Sequence, residues 1–434
     1  MDIQNFTGKK VLIMGLGVNG GGVESAKFFS HLGSIVTVTD LQDEKVLQKS
    51  LNLLKDCKGI TYHLGEHIES DFIDTDIVIK NPGVPPTSKY LQIAKNKSKL
   101  ITSDLEVFLQ LAKPKKIIAI TGTKGKSTTA TFISQILDNL NIPNILVGNI
   151  GKSPLNSLGM EKDKYVVLEL SSFQIDDLGK NAPYFDVIVI TNIFPDHLNR
   201  YGSFNNYQKA KLNLFNYLKP NGSAVLPQNS SIEGPSKINK TIFFTDKFTS
   251  NIFNNTSENI LNFNAALLSV SELLELNNPD QIIPKIKKLN PPRFRNEVVR
   301  KLNNIYFIND STATNPTVAV STLKNYSAKN SIAILGGSSK DLPIGVLADF
   351  INGNDFCVIL LKTSVGQDLS QKIKKSLIIA TAETLEEAIN SGYKYLKKIK
   401  GTHLILSPGA ASFGMFVNEF DRGEQFNYIV SNLK

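Results

Sequence analysis

A glycine- and lysine-rich segment, Thr121–Thr128 (TGTKGKST), carries the clearest chemical signal in the sequence. It follows the apolar run Ile117–Ile120 and precedes a helical pattern, so its backbone amides can surround phosphate groups at a helix N-terminus. Lys126 would reach the β- and γ-phosphates, and the hydroxyl of Ser127 would bind Mg²⁺. Position 120 is Ile where the common GxxxxGK[ST] pattern has Gly, which indicates a shortened phosphate loop. The predicted ATP-binding residues are Gly122, Thr123, Lys124, Gly125, Lys126, Ser127 and Thr128.

Two further polar groups follow apolar strand patterns and could hold a metal ion. Glu169 comes directly after Tyr165–Leu168, and the pair Asp196 and His197 lies beyond Val187–Ile190. Ligands of α/β sheets bind where the strands end, and Mg²⁺ prefers carboxylate oxygens. Each group taken alone is more typical of a structural role, but beside a phosphate loop they predict a metal site.

A second glycine turn, Gly15–Gly20 (GLGVNG), also follows a strand pattern and opens a helical one. Asp40 stands at the end of the next strand pattern, where dinucleotide-binding folds place a carboxylate that accepts a hydrogen bond from ribose. The turn predicts a nucleotide site, but it does not distinguish NAD from another nucleotide. A tight turn without a ligand is the alternative.

The segment His63–His67 matches HxxEH, a pattern found in zinc proteases. That chemistry needs a helix that presents both histidines on one face, and Gly65 interrupts the segment. We therefore interpret the two histidines as structural.

Short β-branched runs alternate with glycine- or Asn/Asp-rich turns and helical patterns, which is typical of α/β folds with parallel sheets. The predicted strands are Lys10–Met14, Ile35–Thr39, Ile77–Ile79, Ile117–Ile120, Tyr165–Leu168, Val187–Ile190, Ser223–Leu226, Ile332–Leu335, Cys357–Leu361 and His403–Leu406. A strand, glycine turn and helix recur as VLIMGLGVNGGG, IIAITGTKGKST and IAILGGSSK. We predict three domains, each a mainly parallel sheet with flanking helices. They are a Rossmann-like domain over 1–104, an ATPase domain over 105–291 and a Rossmann-like domain over 292–434.

Length and composition agree with this organisation. The chain has 434 residues, of which 41% are hydrophobic, and a domain commonly takes about 100 to 200 residues. No run of about 18 apolar residues occurs, and the start MDIQNFTGKK lacks a secretory signal pattern. Two cysteines and five scattered histidines form no disulfide framework or zinc-finger pattern. We expect a cytoplasmic protein without membrane insertion.

The net charge of +9 does not by itself identify a partner. The excess is mainly lysine, spread along the chain, whereas nucleic-acid binders more often show a basic stripe with aromatic residues. We expect most of these lysines on the solvated surface and no nucleic-acid partner. A nucleic-acid-binding ATPase is the alternative, and stimulation of ATP hydrolysis by DNA or RNA would support it.

A set of segments in one order, spanning nearly the whole chain, resembles the Mur ligases of bacterial cell-wall synthesis. The segments are TGTKGKST, LELSSFQ, NIFPDHLNRYG with YQKAK, NDSTATNP, LGGSSK, and LSPGAASFGMF with DRGEQF. The last segment and the first glycine turn are most similar to the D-glutamate-adding branch. The resemblance implies a ligase of peptidoglycan synthesis that uses ATP and two Mg²⁺ ions and proceeds through an acyl phosphate. Its substrates would be UDP-N-acetylmuramoyl-L-alanine and D-glutamate, and we expect a monomer.

The resemblance also implies roles for single residues. The UDP-substrate would be bound by Gly15, Leu16, Gly17, Val18, Asn19, Asp40 and Asn149, the last near the muramoyl group. The catalytic residues would be Lys126, Glu169, His197 and Lys211, and the metal ligands would be Ser127, Glu169, His197 and a carbamylated Lys211. The adenine would lie at Asn259, and Arg295 and Asp310 would approach ATP. D-glutamate would be bound by Thr314, Lys340, Ser412 and Phe413.

Four positions depart from the family pattern: Thr312 replaces a lysine, Phe294 and Glu258 replace histidines, and Gly414 replaces an aspartate. Because Thr312 and Gly414 lie in segments implied to bind the amino acid, a paralogous ligase that adds another amino acid is the first alternative. Folylpolyglutamate synthase is a relative with similar loops, but the N-terminal nucleotide fold favours a UDP substrate. An NAD-dependent oxidoreductase built on Gly15–Gly20 would leave the phosphate loop and the third domain unexplained.

Overall fold

The structure is a computed structural model, and it describes residues 3–18, 20–149, 153–179, 185–228, 232, 234, 240–248, 257–339 and 342–434. Within these ranges the chain forms three sheets with flanking helices. The predicted α/β class with mainly parallel sheets is therefore confirmed.

The first sheet has five parallel strands in the order β3-β2-β1-β4-β5. They are β1 (Lys10–Met14), β2 (Ile35–Asp40), β3 (Thr61–Leu64), β4 (Ile77–Lys80) and β5 (Leu100–Thr102). The helices between them are α1 (Gly21–His31), α2 (Glu44–Asn52), α3 (Glu69–Asp74) and α4 (Lys89–Asn96). The strand order reverses between β1 and β4, and crevices at such switch points bind ligands in open α/β sheets.

The second sheet has six parallel strands in the order β11-β10-β9-β6-β8-β7. They are β6 (Lys116–Thr121), β7 (Asn144–Gly148), β8 (Tyr165–Glu169), β9 (Phe185–Ile190), β10 (Leu218–Pro227) and β11 (Lys240–Phe244). The helices in this part of the chain are α5 (Asp104–Leu111), α6 (Lys126–Asn139), α7 (Ser172–Asp176), α8 (Leu198–Tyr201), α9 (Phe204–Leu212) and α10 (Ser257–Leu273). The central strand β6 is buried beyond its first residue, which explains its continuous apolar run.

The third sheet has the order β12-β13-β17-β14-β15-β16, in which β12 alone is antiparallel to its neighbour. Its strands are β12 (Glu297–Leu302), β13 (Ile305–Asn309), β14 (Ser331–Leu335), β15 (Cys357–Leu361), β16 (Ile378–Ala382) and β17 (His403–Leu406). Its helices are α11 (Pro316–Leu323), α12 (Gly345–Gly353), α13 (Ser364–Lys372), α14 (Leu385–Ile399) and α15 (Glu419–Asn432). Asn303 and Asn304, both at positive φ, make the tight turn of the β12–β13 hairpin.

The chain divides into two compact units. The first holds Met1–Pro195 and Ser203–Asn290, and the second holds Asp196–Gly202 and Pro291–Lys434. In the first unit one hydrophobic core joins the first and second sheets, with α5 contributing Leu105 and Phe108 to it. None of the described helices combines the length and the apolar character needed to span a lipid bilayer.

All ten predicted strands are present, and most of their predicted ends lie within a few residues of the observed ends. The HxxEH segment does not form the helix that zinc-protease chemistry needs, because His63 lies in β3 and Gly65 follows at a φ of +89°. The first predicted domain boundary falls at the start of α5. Both boundaries, 104/105 and 291/292, stay predictions.

Candidate active site

The phosphate-loop segment connects β6 to α6 at the carboxyl end of the central strand of the second sheet. Gly122 adopts a φ of +148°, and a Cβ at this position would overlap the hydroxyl of Thr191. Gly125, at a φ of +83°, directly precedes α6, and a Cβ there would overlap the side chain of Asn262. Close packing therefore requires glycine at position 122, and the left-handed backbone favours glycine at position 125.

Two residues that follow β9 hold the loop in place. The Asn192 side chain accepts a hydrogen bond from the Lys124 N–H at 2.8 Å and donates one to the Lys124 carbonyl at 2.9 Å. The Asn192 carbonyl accepts from the Thr123 N–H at 3.0 Å, and the Thr191 hydroxyl donates to Lys124 O. Neither residue was predicted from the sequence. The available signal was a polar pair directly after an apolar run that could neighbour β6.

Two predicted catalytic lysines meet at one carbonyl of this loop. Lys126 Nζ donates to the carbonyls of Gly122 and Thr123, both at 3.0 Å. Lys211 Nζ, from α9, donates to the same Gly122 carbonyl at 2.8 Å and lies 4.8 Å from the ring centroid of Tyr207. Lys211 is 2% exposed and therefore differs from the solvated surface position expected for most of the lysines. Two ammonium groups at the loop create a positive field suited to an anionic ligand.

Glu169 lies at the same edge of the sheet, because it ends β8 and pairs in register with Ile120 of β6. The residue is 1% exposed, and its Oε1 accepts a hydrogen bond from Asn149 Nδ2 at 3.3 Å. Its Oε2 is buried and has no hydrogen-bond partner among the described residues. An unpaired buried carboxylate oxygen is unfavourable, and a bound cation would relieve it.

The residues present fit a hard divalent cation. Among the described residues, no group of three or more His, Cys, Asp or Glu side chains could hold a metal ion alone. Mg²⁺, however, commonly takes only one or two protein carboxylates and completes its ligands with water and substrate phosphates. Glu169, with its unpartnered oxygen, and Ser127, in the first turn of α6, provide such a set.

The other predicted ATP and metal residues are placed as follows. His197 lies in the Asp196–Gly202 segment of the second unit, at a φ of +51°, and its N–H donates to Asp196 Oδ1 at 2.9 Å. Asn259 is buried in α10, and Arg295 is half-buried before β12. Their roles at ATP or metal stay predictions.

A cavity of about 460 Å³ lies in the first sheet at the carboxyl ends of β1, β2 and β4, where the strand order reverses. Of the predicted UDP-substrate residues, Gly15, Gly17 and Asp40 line it. Leu16 is buried, Val18 is half-buried, Asn149 is exposed after β7, and Asn19 lies outside the described residues.

Asp40 is bound to the backbone around the glycine turn. Its Oδ2 accepts from the Gly17 N–H at 2.9 Å, and its Oδ1 accepts from the Gln42 N–H at 2.8 Å. The carboxylate therefore fixes the shape of the turn. A direct bond from Asp40 to a ribose or a base stays a prediction.

In the second unit, the residues predicted for D-glutamate lie at one end of the third sheet. Ser412 is 2% exposed, and its hydroxyl has no hydrogen-bond partner among the described residues. Phe413 is exposed, and its carbonyl accepts a hydrogen bond from the Ser338 hydroxyl. The Thr314 N–H donates to Thr312 O at 2.9 Å, and Lys340 lies outside the described residues. Ser338, Ser412 and Phe413 are thus brought together.

Three of the positions that depart from the family pattern have structural partners. The Thr312 hydroxyl donates to the Phe294 carbonyl at 2.9 Å. Phe294 adopts a φ of +64°, and its ring packs where a Cβ on residue 423 would clash, so Gly423 is required. Gly414 adopts a φ of +91° and faces the Ser338 hydroxyl. Thr312 therefore stabilises the chain around Phe294.

Two buried charged groups fix the polypeptide around this end of the sheet. Asp310 accepts hydrogen bonds from the hydroxyls of Thr322 and Ser407 at 2.6 and 2.9 Å. Arg422, in the DRGEQF segment, is fully buried and donates to Ser311 O at 2.7 Å and Ala410 O at 3.2 Å. Burial lowers the pKa of the Arg422 guanidinium to about 10, so the group still carries its charge at neutral pH.

Comparisons with known proteins agree with this architecture. Residues 9–103 match the family model "Mur ligase MurD-like, N-terminal domain", and residues 120–270 match "Mur ligase middle domain". The chain is 31% identical to the UDP-N-acetylmuramoylalanine–D-glutamate ligase of Roseiflexus sp. (strain RS-1), with 98% of this chain and 99% of the relative covered. It is 34% identical to the protein of the same name from Borreliella burgdorferi (strain ZS7), with 97% of each chain covered. The fold is similar to the crystal structure of UDP-N-acetylmuramate-alanine ligase from Thermotoga maritima, with a TM-score of 0.59, 19% identity, and coverage of 98% and 100%. Similarity at these levels over nearly the whole length means that the chain belongs to the Mur ligase family.

Proposed function

We propose that this chain is an ATP-dependent ligase that joins D-glutamate to UDP-N-acetylmuramoyl-L-alanine and thereby makes a precursor of peptidoglycan. One observation carries the proposal: Lys126 and Lys211 converge on the Gly122 carbonyl, beside the buried Glu169. A phosphate loop with a lysine cation at its helix N-terminus and an unpartnered carboxylate beside it is suited to phosphoryl transfer from a metal–nucleotide complex.

The first step transfers a phosphoryl group. A carboxylate oxygen of UDP-N-acetylmuramoyl-L-alanine attacks the γ-phosphorus of ATP, the bond to the β,γ-bridging oxygen breaks, and ADP leaves. Two anions must approach each other, so the ammonium group of Lys126 lowers the barrier by neutralising charge on the transferred group. The backbone amides at the N-terminus of α6 would hold the phosphates in position, because those of Thr123 and Lys124 already donate to Asn192.

The second step forms the amide bond. The amine nitrogen of D-glutamate attacks the acyl carbon, the carbon–oxygen bond to phosphate breaks, and the nitrogen loses a proton. Phosphate leaves with the electron pair of the broken bond. Water would hydrolyse the acyl phosphate, so exclusion of water from the site favours the amide product.

Mg²⁺ would neutralise phosphate oxygens when bound, and Ser127 and Glu169 would hold it, with His197 and a carbamylated Lys211 as further proposed ligands. The buried position of Lys211 supports a role inside the site rather than on the surface.

The identity of the amino acid is supported by the names of the similar proteins, two of which are UDP-N-acetylmuramoylalanine–D-glutamate ligases at 31% and 34% identity. The unpartnered hydroxyl of Ser412 supports a polar ligand at the end of the third sheet. A paralogous ligase that adds another amino acid is the alternative.

Phosphate release from ATP tests the proposal. With UDP-N-acetylmuramoyl-L-alanine and a panel of amino acids, release should depend on D-glutamate, and dependence on another amino acid would correct the assignment.

Lys126→Ala should abolish ADP formation, because the transferred phosphoryl group loses its cation. Lys116→Ala is the matched control, since Lys116 lies at the other end of β6 and pairs with the exposed Glu275. Near-normal turnover of the Lys126 variant would contradict the proposal.

A further inference from the structure

The cavity of the first sheet contains a histidine to which neither the glycine turn nor the family resemblance assigned a role. His67 follows β3, lines the cavity and is 9% exposed. It is the second histidine of the HxxEH segment, which lies on a strand and the turn after it.

The hydrogen-bond distances around His67 favour one position for its ring proton. Nδ1 lies 2.7 Å from the Thr39 hydroxyl, whereas the same hydroxyl lies 3.4 Å from the Glu66 carbonyl. The hydroxyl has a single proton and lies much closer to Nδ1 than to the Glu66 carbonyl, so we assign the hydroxyl as the donor to Nδ1. Nε2 of the neutral ring is then the N–H donor, and it has no partner among the described residues.

Packing holds this donor in one orientation. The His67 ring makes edge contacts with Phe72 and Tyr90, with centroid distances of 5.8 and 5.0 Å and an interplanar angle of 78° in each case. Phe72 and Tyr90 are themselves stacked at 5.2 Å. Burial lowers the pKa of His67, and this effect outweighs the opposing effect of Asp40 and Asp71. The ring is therefore neutral at neutral pH.

The position of His67 in the cavity indicates which part of a nucleotide it meets. In sheets of this kind the diphosphate lies at the glycine turn, and the nucleoside lies toward the end of the second strand. Here Gly15 and Gly17 mark the phosphate end, Asp40 marks the nucleoside side, and His67 follows β3, the strand next to β2. A neutral donor beside the Tyr90 ring suits a planar base rather than an anion.

We propose that His67 determines base specificity, by donating its Nε2–H to the 4-carbonyl of uracil in the bound UDP-sugar. Cytosine presents an amino donor where uracil presents this acceptor, so a cytosine base would leave two donors facing each other. The inference rests on the proposed function, because it takes the first-sheet cavity as the UDP site.

Calorimetric titration of the full chain with UDP and with CDP tests this role. The unaltered chain should bind UDP at least about tenfold more tightly than CDP, as expected for one hydrogen bond that favours the correct base. His67→Phe keeps the ring packing and removes both nitrogens, so UDP affinity should fall about tenfold and the two affinities should become equal. His67→Gln retains an N–H donor and should preserve part of the difference. His63→Phe is the matched control, since His63 pairs with Asp71 outside the cavity, and it should leave the ratio unchanged.

A measurement on the unaltered chain does not depend on the folding of a variant. In 4-thio-UDP a sulfur replaces the 4-oxygen, and because sulfur is a weaker acceptor the affinity should fall severalfold. Equal affinities for UDP and 4-thio-UDP, or an unchanged UDP-to-CDP ratio in a folded His67→Phe chain, would overturn the inference. Failure of the unaltered chain to bind UDP at all would instead overturn the proposed UDP site.

Discussion

Two buried glutamates of the first unit resemble each other in one respect: the Oε2 atom of each has no hydrogen-bond partner among the described residues. Glu161 lies in the loop before β8, where its Oε1 accepts from the Lys113 N–H at 3.2 Å. Glu169 ends the same strand and lies beside the phosphate loop. Only the second position is suited to a cation that also contacts phosphate. Comparing the two glutamates therefore separates the effect of burying a carboxylate from the effect of its binding a cation.

Glu169→Gln should lower ADP formation by about a hundredfold or more, because the amide is a weaker ligand for a divalent cation. Its melting temperature without ligands should stay the same or rise, since the substitution removes an unpaired buried charge. Activity assays over a range of Mg²⁺ concentrations and thermal melts measure the two effects.

Glu161→Gln is the control, and it should match the thermal behaviour of Glu169→Gln while keeping activity. Equal losses of activity in both variants would show that burial alone matters, and would contradict the role of Glu169.

Residues of the site differ in how far the sequence predicts them. Lys126 and Ser127 are predicted from spacing, because the loop and the first turn of α6 determine their positions relative to the phosphates. Lys211 is 89 residues from Gly122, and only the resemblance singled it out, because tertiary packing brings its ammonium group to the Gly122 carbonyl. Asn192 was not predicted, since an asparagine after a strand is common and its two bonds to Lys124 depend on the pairing of β9 with β6.

Among the described elements, the interior strands other than β13 were predicted, and the six strands at sheet edges were not. The missed strands are β3, β5, β7, β11, β12, β13 and β16. Several of them are half-exposed, as in β3 and β16, so they lack the continuous apolar run of a strand covered on both faces. The β12–β13 hairpin carries an Asn-Asn turn that favours positive φ, which was an unused signal.

The phosphate loop depends on one close approach between elements. Gly122→Ala places a Cβ where the Thr191 hydroxyl lies and 3.0 Å from the Asn192 carbonyl, so the loop must move away from β9. ATP affinity should fall by about tenfold or more, while the sheets remain folded. Nucleotide titration and circular dichroism measure the two properties.

Gly159→Ala is the matched control for this substitution. Gly159 also has a positive φ, of +86°, but nothing lies within 4 Å of the place that the new methyl group would occupy, so only backbone strain is added. Similar losses of ATP affinity in both variants would show that the close packing of Gly122 is not what the loop requires.

At the scale of the whole molecule, the sequence predicts three sheets but not how the first two are joined. Their apolar faces share one core that includes Phe29 from α1, Phe108 from α5 and Leu170 after β8. Within that unit, Lys80 at the end of β4 and Asp177 after α7 form an ion pair at 2.8 Å, with both side chains almost fully buried. Apolar patterns indicate which face is buried, but not which other element covers it, so neither contact followed from the sequence.

The Lys80–Asp177 pair should contribute to stability chiefly through the penalty for breaking it. Asp177→Asn leaves the Lys80 ammonium group buried without its counter-charge, and about 3–5 kcal/mol of unfolding free energy should be lost. The double variant Lys80→Met with Asp177→Leu removes both charges and should lose much less, because neither charge then needs solvent. Urea denaturation of the three chains measures this difference.

Since Lys80 Nζ also donates to Val84 O at 3.0 Å, and Val84 lines the first-sheet cavity, UDP affinity should fall in the single variant as well. Glu275→Gln breaks the exposed pair with Lys116 and should leave stability unchanged. If Asp177→Asn behaves like that control, the ion pair does not join the two sheets.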